Sequence, residues 1–107
     1  MSFDHRAHVH AAYACIAEHG LAGALARFPQ RLRGMAAGAG VPEKYHETVT
    51  YGFLLLIADR ARPGESFEQL VERCPELLDR GILGRYWHPE TLASERARRA
   101  FVFPDRL

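Results

Sequence analysis

Apolar residues recur every three or four positions along most of this chain, which is the spacing of one face of an α-helix. The stretch from Phe3 to His19 shows this spacing first and predicts a helix. Either Ser2 or Asp4 can cap its first turn, because both side chains can accept a hydrogen bond from a free backbone N–H. Gly20 supplies the left-handed residue that commonly follows a helix C-terminus, so the first helix is expected to end there.

Two longer apolar patterns fill the middle of the chain. The stretch from Leu21 to Gly40 predicts a second helix, in which Pro29 is expected to cause a kink near Phe28 or to divide it into two short helices. The stretch from Glu43 to Arg62 predicts a third helix. Because apolar residues occupy nearly its whole circumference, this third helix is expected to be the central, buried element.

The last third of the chain predicts shorter elements. Ser66 begins a helix with a capping box that Gln69 completes. Short helical segments are expected after Pro75, Pro89 and Ser94, and the apolar tail FVF is expected to fold back over them. No long stretch alternates apolar and polar residues as a half-buried strand does. The sequence therefore predicts an all-α fold without a sheet, a compact single-domain bundle of four to five main helices over residues 1–107.

Composition changes this picture little, but it excludes some classes of function. Fourteen basic and thirteen acidic residues leave a formal net charge of +1, so no strong field favours nucleic acid or a membrane surface. The longest apolar run, Phe53 to Ala58, is far shorter than the roughly 20 residues that a membrane span needs. No secretory signal pattern is visible, so a cytoplasmic location is expected. Cys15 and Cys74 lack CxxC spacing and are expected to be reduced, buried thiols.

The six histidines of the chain are the first candidates for chemistry. His5 and His8 lie three residues apart, so their imidazoles share one helix face and can turn to one metal ion. His46 is a candidate third ligand, because an up-down-up course of the first three helices brings it beside the start of the first. Three imidazoles suit zinc, iron, copper or nickel, and residue type alone does not separate these transition metals.

Acidic and hydroxyl groups near the histidines extend this hypothesis. Asp4, Glu43 and Glu47 are candidates to supply a fourth ligand or to surround the ligands, and a carboxylate of Asp4 or Glu47 can orient an imidazole ring. Thr48 and Thr50 are candidates to hold a bound water or substrate. Glu47 is the candidate catalytic proton carrier. A zinc-protease HExxH motif is excluded, because position 50 is threonine. The alternative is that the histidines are core residues hydrogen-bonded to Glu47, Thr50 or Tyr45.

Two functions therefore stay open. The first is a small metal-binding protein, either an enzyme with a small-molecule substrate or an accessory protein of a biosynthetic or redox pathway. The second is a non-catalytic interaction or regulatory module, such as a homodimer or a regulatory subunit. Its protein partner would bind an aromatic surface made of Tyr86, Trp87, Phe101 and Phe103. Aromatic residues are favoured at interfaces, but the same side chains can instead close the core.

Four segments carry a resemblance to a known family. The segments are FDHRAH, KYHETVT, an aromatic stretch at 85–87 and SERARRAFVFPDR, in this order. The chain thereby resembles, over nearly its whole length, a family of small bacterial helical proteins of uncharacterised activity with HxxH, KYHETxT and C-terminal FVxPDR motifs. The resemblance implies that His5, His8 and His46 belong to recurring motifs. Pro29 and Trp87 depart from the family pattern.

Overall fold

The computed structural model describes residues 4–106, and all regular secondary structure in that range is helical. Five α-helices are present in it, namely α1 (His5–Gly38), α2 (Glu47–Arg60), α3 (Phe67–Arg73), α4 (Pro89–Leu92) and α5 (Glu95–Arg99). Three 3₁₀ turns connect them, at Pro42–Lys44, Pro75–Leu78 and Ile82–Arg85. The prediction of an all-α fold without a sheet is confirmed for the described residues.

α1 consists of two helical arms joined at Gly20. Asp4 caps its start, since a carboxylate oxygen accepts a hydrogen bond from the backbone N–H of Ala7 at 2.8 Å. The predicted start at Phe3 and the alternative cap Ser2 lie outside the described residues. Gly20 has φ 73° and ψ 174°, so the helical path breaks there. A straight helix of 34 residues would be about 51 Å long, whereas the longest dimension of the molecule is 37 Å.

The predicted end of the first helix at Gly20 coincides with this break, whereas the predicted division of the second helix near Phe28 is wrong. The backbone keeps helical angles through Pro29, which is buried within α1. The fixed φ of proline is that of a helix, so the backbone can continue through Pro29, whereas a φ near 73° is readily available only to glycine. A kink at Pro29 stays a prediction. We call residues 5–19 the first arm and residues 21–38 the second arm.

α2 is the central helix, but it begins later than the sequence predicts. The expected start at Glu43 is replaced by the 3₁₀ turn Pro42–Lys44, and the α-helix begins only at Glu47. His46 caps it, since its Nδ1 accepts a hydrogen bond from the backbone N–H of Val49 at 3.1 Å. The helix buries Thr48, Thr50, Gly52, Leu54 and Ile57. Polar side chains thus enter the interior at the N-terminal end of α2.

Two apolar cores adjoin at α2, where Phe53 and Leu56 pack against both. The first core joins α1, α2, α3 and the turn Pro75–Leu78, and it includes the fully buried Leu54, Ile57, Leu70 and Leu77. The second core is smaller and consists of Ile82, Leu83 and Trp87. The C-terminal third of the chain therefore has its own apolar centre, which α2 connects to the rest.

Local capping predictions in the last third are confirmed. Ser66 Oγ accepts a hydrogen bond from the backbone N–H of Gln69 at 3.1 Å, and Gln69 Oε1 accepts one from the N–H of Ser66 at 2.9 Å. Ser94 likewise caps α5 by accepting from the N–H of Ala97 at 3.1 Å. These caps fix where α3 and α5 begin, because each satisfies backbone donors that a helix start leaves free.

Candidate functional site

A cavity of about 540 Å³ lies between the two arms of α1 and the N-terminal half of α2. Small-molecule sites in proteins typically enclose roughly 300 to 1,000 Å³. Its apolar lining residues are Val9, Ala12, Phe28, Leu32, Met35, Ala36, Ala39, Val41, Val49 and Phe53. Its polar lining residues are His5, His8, Lys44, Tyr45, His46 and Thr50. The cavity is thus a mainly apolar space with a few polar groups.

The bend at Gly20 gives this cavity a closed and an open end. Both arms contribute lining residues at equal sequence distances from Gly20, namely Ala12 and Phe28, His8 and Leu32, and His5 and Met35. The pair nearest the bend is almost completely buried, whereas Met35 is 44% exposed. The closed end is therefore apolar, and the polar residues of the first turns of α1 and of the segment before α2 lie toward the open end.

His5 and His8 both line the cavity, as their spacing predicts for one helix face. His5 Nε2 lies 3.1 Å from the carbonyl oxygen of Leu77, so this nitrogen carries the proton and donates it. Burial lowers the pKa of His8 below its ordinary value, and the nearby His5 and Arg80 lower it further, while Asp4 opposes them. His8 is therefore mainly neutral at pH 7.

His46 reaches the same cavity, but both nitrogens of its ring already have partners. Nδ1 accepts from the N–H of Val49, so it carries no proton, and Nε2 lies 2.6 Å from the carbonyl oxygen of Leu92 and donates to it. A metal ion on either nitrogen would replace one of these bonds. Within residues 4–106, no three His, Cys, Asp or Glu side chains are grouped closely enough to hold a metal ion. The structure thus brings His5, His8 and His46 to one cavity without arranging them as a ligand set.

Glu47, the candidate proton carrier, lies in an ion pair outside the cavity lining. Its Oε1 accepts hydrogen bonds from the hydroxyl of Tyr45 and from Arg33 Nη1 at 2.9 Å, and the Arg33 guanidinium lies over the Tyr45 ring. Burial raises the pKa of Tyr45, and its hydrogen bond to Glu47 raises it further. These three residues fasten the segment before α2 to the second arm of α1.

The remaining candidates also have structural partners or lie apart from the cavity. Thr50 Oγ1 donates to the carbonyl oxygen of His46 at 2.8 Å, and Asp4 caps α1. Glu43 is exposed and does not line the cavity, and its backbone oxygen accepts a hydrogen bond from Arg98 at 3.4 Å. Within the described residues, no observed hydrogen bond joins the carboxylate of Asp4 or Glu43, or the hydroxyl of Thr50, to a histidine ring.

Thr48, a candidate to hold a bound water or substrate, is fully buried and has a structural role that the sequence did not predict. Thr48 Oγ1 donates to the carbonyl oxygen of Ala100 at 2.9 Å and accepts from the N–H of Val102 at 3.2 Å. His46 makes the neighbouring bond to Leu92, so alternate residues of KYHETVT hold the C-terminal segment. The signal in the sequence is a threonine within an otherwise apolar helix, since a buried hydroxyl requires a partner.

The C-terminal tail folds back over the chain, as predicted. Trp87 Nε1 donates to the carbonyl oxygen of Val102 at 2.8 Å, and the N–H of Arg106 donates to that of Tyr86 at 2.9 Å. Asp105 accepts from the N–H of His88 at 3.0 Å and from the Thr91 hydroxyl. The motif FVFPDR is thus explained by its contacts with the segment at 84–91.

The aromatic residues proposed as an interaction surface do not form one continuous exposed patch. Trp87 is only 3% exposed and belongs to the second core, and Phe101 packs against that core. Phe103 alone of the four is strongly exposed, at 79%. These rings mainly close the second core, and a homodimer or another protein partner stays a prediction.

No protein-family model, curated protein or solved structure matches the chain. The resemblance to bacterial proteins with HxxH and KYHETxT motifs therefore stays a prediction. None of the helices within residues 4–106 is both long and apolar enough to cross a membrane.

Proposed function

We propose that this protein binds a small, mainly apolar molecule in the cavity between the arms of α1 and the start of α2. One observation carries the proposal, namely a space of about 540 Å³ with ten apolar residues among the sixteen that line it. Protein interiors are close-packed and contain few voids larger than a water molecule. A space of this size between three helical segments therefore has the dimensions of a binding site rather than of a packing defect.

The walls of the cavity are held in place by bonds that do not involve a ligand. Arg33 and Tyr45 bind Glu47 and so tie the second arm to the start of α2, and His5 ties the first arm to Leu77. Because these contacts exist before binding, the ligand would not have to order the site. Binding to such a preformed site avoids much of the entropy cost of recognition.

The test is a titration of the untagged protein with 1-decanol, followed by isothermal titration calorimetry and by NMR of methyl groups. Saturable shifts are expected at methyl groups of the cavity lining, such as those of Val9 and Val49. Ala36→Leu places a larger side chain in the cavity and should weaken binding about tenfold or more, which is about 1.4 kcal/mol. Ala37→Leu is the matched control, since Ala37 is exposed and does not line the cavity.

Circular dichroism and thermal unfolding establish that both variants are folded before they are compared. Equal weakening in Ala36→Leu and Ala37→Leu would place the binding elsewhere. An absence of saturable shifts in the wild-type protein would overturn the proposed function itself.

A transition metal bound by His5 and His8 is the second candidate function. The favouring observation is the bond from His5 Nε2–H to the carbonyl of Leu77, because metal-binding histidines usually donate their other ring N–H to a carbonyl or carboxylate. His5 Nδ1 would then be the metal ligand. His46 can join only if it releases the N–H of Val49 or the carbonyl of Leu92.

Elemental analysis for zinc, iron, copper and nickel tests this candidate on protein purified without a histidine tag. Near-stoichiometric metal is expected if the candidate is correct, and His8→Ala should remove it. The matched control is His10→Ala, since His10 is exposed and lies outside the cavity lining. Metal that is scarce, or equally retained in both variants, would contradict the candidate.

A further inference from the structure

Several polar groups of the cavity already donate their proton to another group of the protein, so they have none left to donate to an anionic ligand. The Tyr45 hydroxyl donates to Glu47, the Thr50 hydroxyl donates to the carbonyl of His46, and His46 uses both ring nitrogens. His5 likewise donates its ring N–H to the carbonyl oxygen of Leu77, so Lys44 is the lining residue best suited to recognise an anionic group.

Among the lining residues that the structure describes, Lys44 alone carries a full positive charge. It lies in the 3₁₀ turn before α2, is exposed, and forms no ion pair with a carboxylate of residues 4–106. It is also the single lysine of a chain whose other basic residues are all arginine. A lysine ammonium is a compact charge with three donors, well suited to an anionic oxygen.

No aspartate or glutamate of residues 4–106 lines the cavity to oppose this charge. Glu47, next to the lining in sequence, is neutralised by Arg33 at 2.9 Å. Asp4 and Arg80 both lie near enough to His8 to affect its pKa, but they act in opposite directions. The cavity thus combines an apolar closed end with a net positive open end.

We propose that the ligand is a medium-chain amphiphile with a carboxylate head group, whose alkyl chain lies between the arms of α1 and whose carboxylate pairs with the ammonium of Lys44. This inference rests on the proposed function, since it assigns a chemical class to the ligand of the same cavity. The charge complementarity at the open end carries it, because a neutral amphiphile would leave Lys44 without a counter-ion.

The test compares decanoate with 1-decanol, which share an alkyl chain and differ in the head group. At pH 7.5 and low salt, decanoate is expected to bind the full-length protein about tenfold more tightly, the gain of a charge-assisted hydrogen bond. Lys44→Met should lower the affinity for decanoate until it no longer exceeds that for 1-decanol, and Lys44→Arg should retain most of the difference. Arg31→Met is the matched control, because it removes one exposed charge from α1 outside the cavity lining.

A direct readout is available because Lys44 is the only lysine. Reductive methylation with ¹³C-formaldehyde labels its side-chain amine, and the resulting dimethyl resonance should shift on addition of decanoate but not of 1-decanol. If decanol binds and decanoate binds no more tightly, or if Lys44→Met and Arg31→Met behave alike, the inference is overturned and the proposed function stands. If neither compound binds, the proposed function fails as well.

Discussion

The two faces of α2 differ in how they are packed. One face contacts the C-terminal part of the chain, at 83–102, and we call it the C-terminal side. The other face lines the cavity, and we call it the cavity side. On the C-terminal side, Thr48 binds the backbone at both Ala100 and Val102, and Gly52 lets the side chains of Leu83 and Trp87 approach closely. A methyl group at Gly52 would lie 3.0 Å from Leu83 Cδ2, so this side is packed without spare room. On the cavity side, Val49 and Phe53 line the cavity, although each follows directly after a residue of the C-terminal side.

This difference shows how to separate structural polar groups from candidate recognition groups. On the C-terminal side, hydrogen bonds satisfy the described polar groups and fix the tail, which is the usual role of buried polar groups. On the cavity side, Lys44 forms no ion pair with a described carboxylate, and the neighbouring surface is apolar. Substitutions on the C-terminal side are therefore expected to change mainly the unfolding free energy, whereas substitutions on the cavity side are expected to change mainly the affinity for a ligand.

The largest loss of stability is expected from Gly20→Ala, which substitutes the residue at the bend between the two arms of α1. At φ 73° and ψ 174°, the backbone occupies a region that is essentially restricted to glycine, and an alanine there should cost about 3 kcal/mol of unfolding free energy. Urea denaturation measures the loss. Hydrogen exchange should show faster opening of the two arms of α1, while the amide of Val102 stays protected.

The control for Gly20→Ala is Gly34→Ala, at a helical position in the same helix. An added methyl group there meets no atom within 4 Å, so this variant should gain roughly 0.5 to 1 kcal/mol from helix propensity. A Gly20→Ala protein as stable as the wild type would show that the bend does not depend on glycine.

A smaller loss of stability is expected from Thr48→Val, which removes the hydroxyl group that binds the C-terminal tail at Ala100 and Val102. Two hydrogen bonds are lost, and the N–H of Val102 is left without its partner, so the unfolding free energy should fall by about 2 kcal/mol. Thr50→Val is the same change on the cavity side. It should cost less than about 1 kcal/mol, because the carbonyl of His46 keeps its bond from the N–H of Thr50.

Thermal or urea unfolding of the two threonine variants measures this contrast directly. Equal losses would mean that the two sides of α2 do not differ in the way their hydrogen bonds indicate. A larger loss in Thr50→Val would reverse the comparison.

The fold class followed from the sequence because helix periodicity and capping are local properties. The capping box at Ser66 and the break at Gly20 are both encoded by residues within one turn of the feature. A division of the second helix at Pro29 was wrong because the φ of proline suits a helix, so the chain can stay helical through it. The sequence also predicted His46 inside the third helix, whereas in the structure it is the N-cap of α2. The difference arises because the 3₁₀ turn Pro42–Lys44 precedes it and delays the start of the α-helix.

The candidate site was only partly predictable from the sequence. The spacing of His5 and His8, with an up-down-up course of the helices, was sufficient to bring them near His46. The partners of these rings were not predictable, because Leu77 and Leu92 contribute backbone oxygens that no side-chain motif reveals. The cavity itself depends on how far the arms of α1 stand from α2, which is a property of tertiary packing.

The smallest effect is a dependence of stability on pH that originates on the cavity side. Burial holds the pKa of His8 below the ordinary value of 6.5 that it has in the unfolded chain. Above that value the residue is neutral in both states and contributes nothing. As the pH falls through 6.5, the unfolded chain binds a proton first, so the unfolding free energy decreases until the pH passes the lowered pKa of the folded state.

Urea unfolding at several pH values between about 7.5 and 5 should therefore show a decline in wild-type stability that is shallower in His8→Gln. His88→Gln removes an exposed histidine from the C-terminal side and should retain the wild-type decline. If His8→Gln keeps the full decline and His88→Gln loses it, the titrating group lies on the packed side of α2, which contradicts the burial of His8 as its cause.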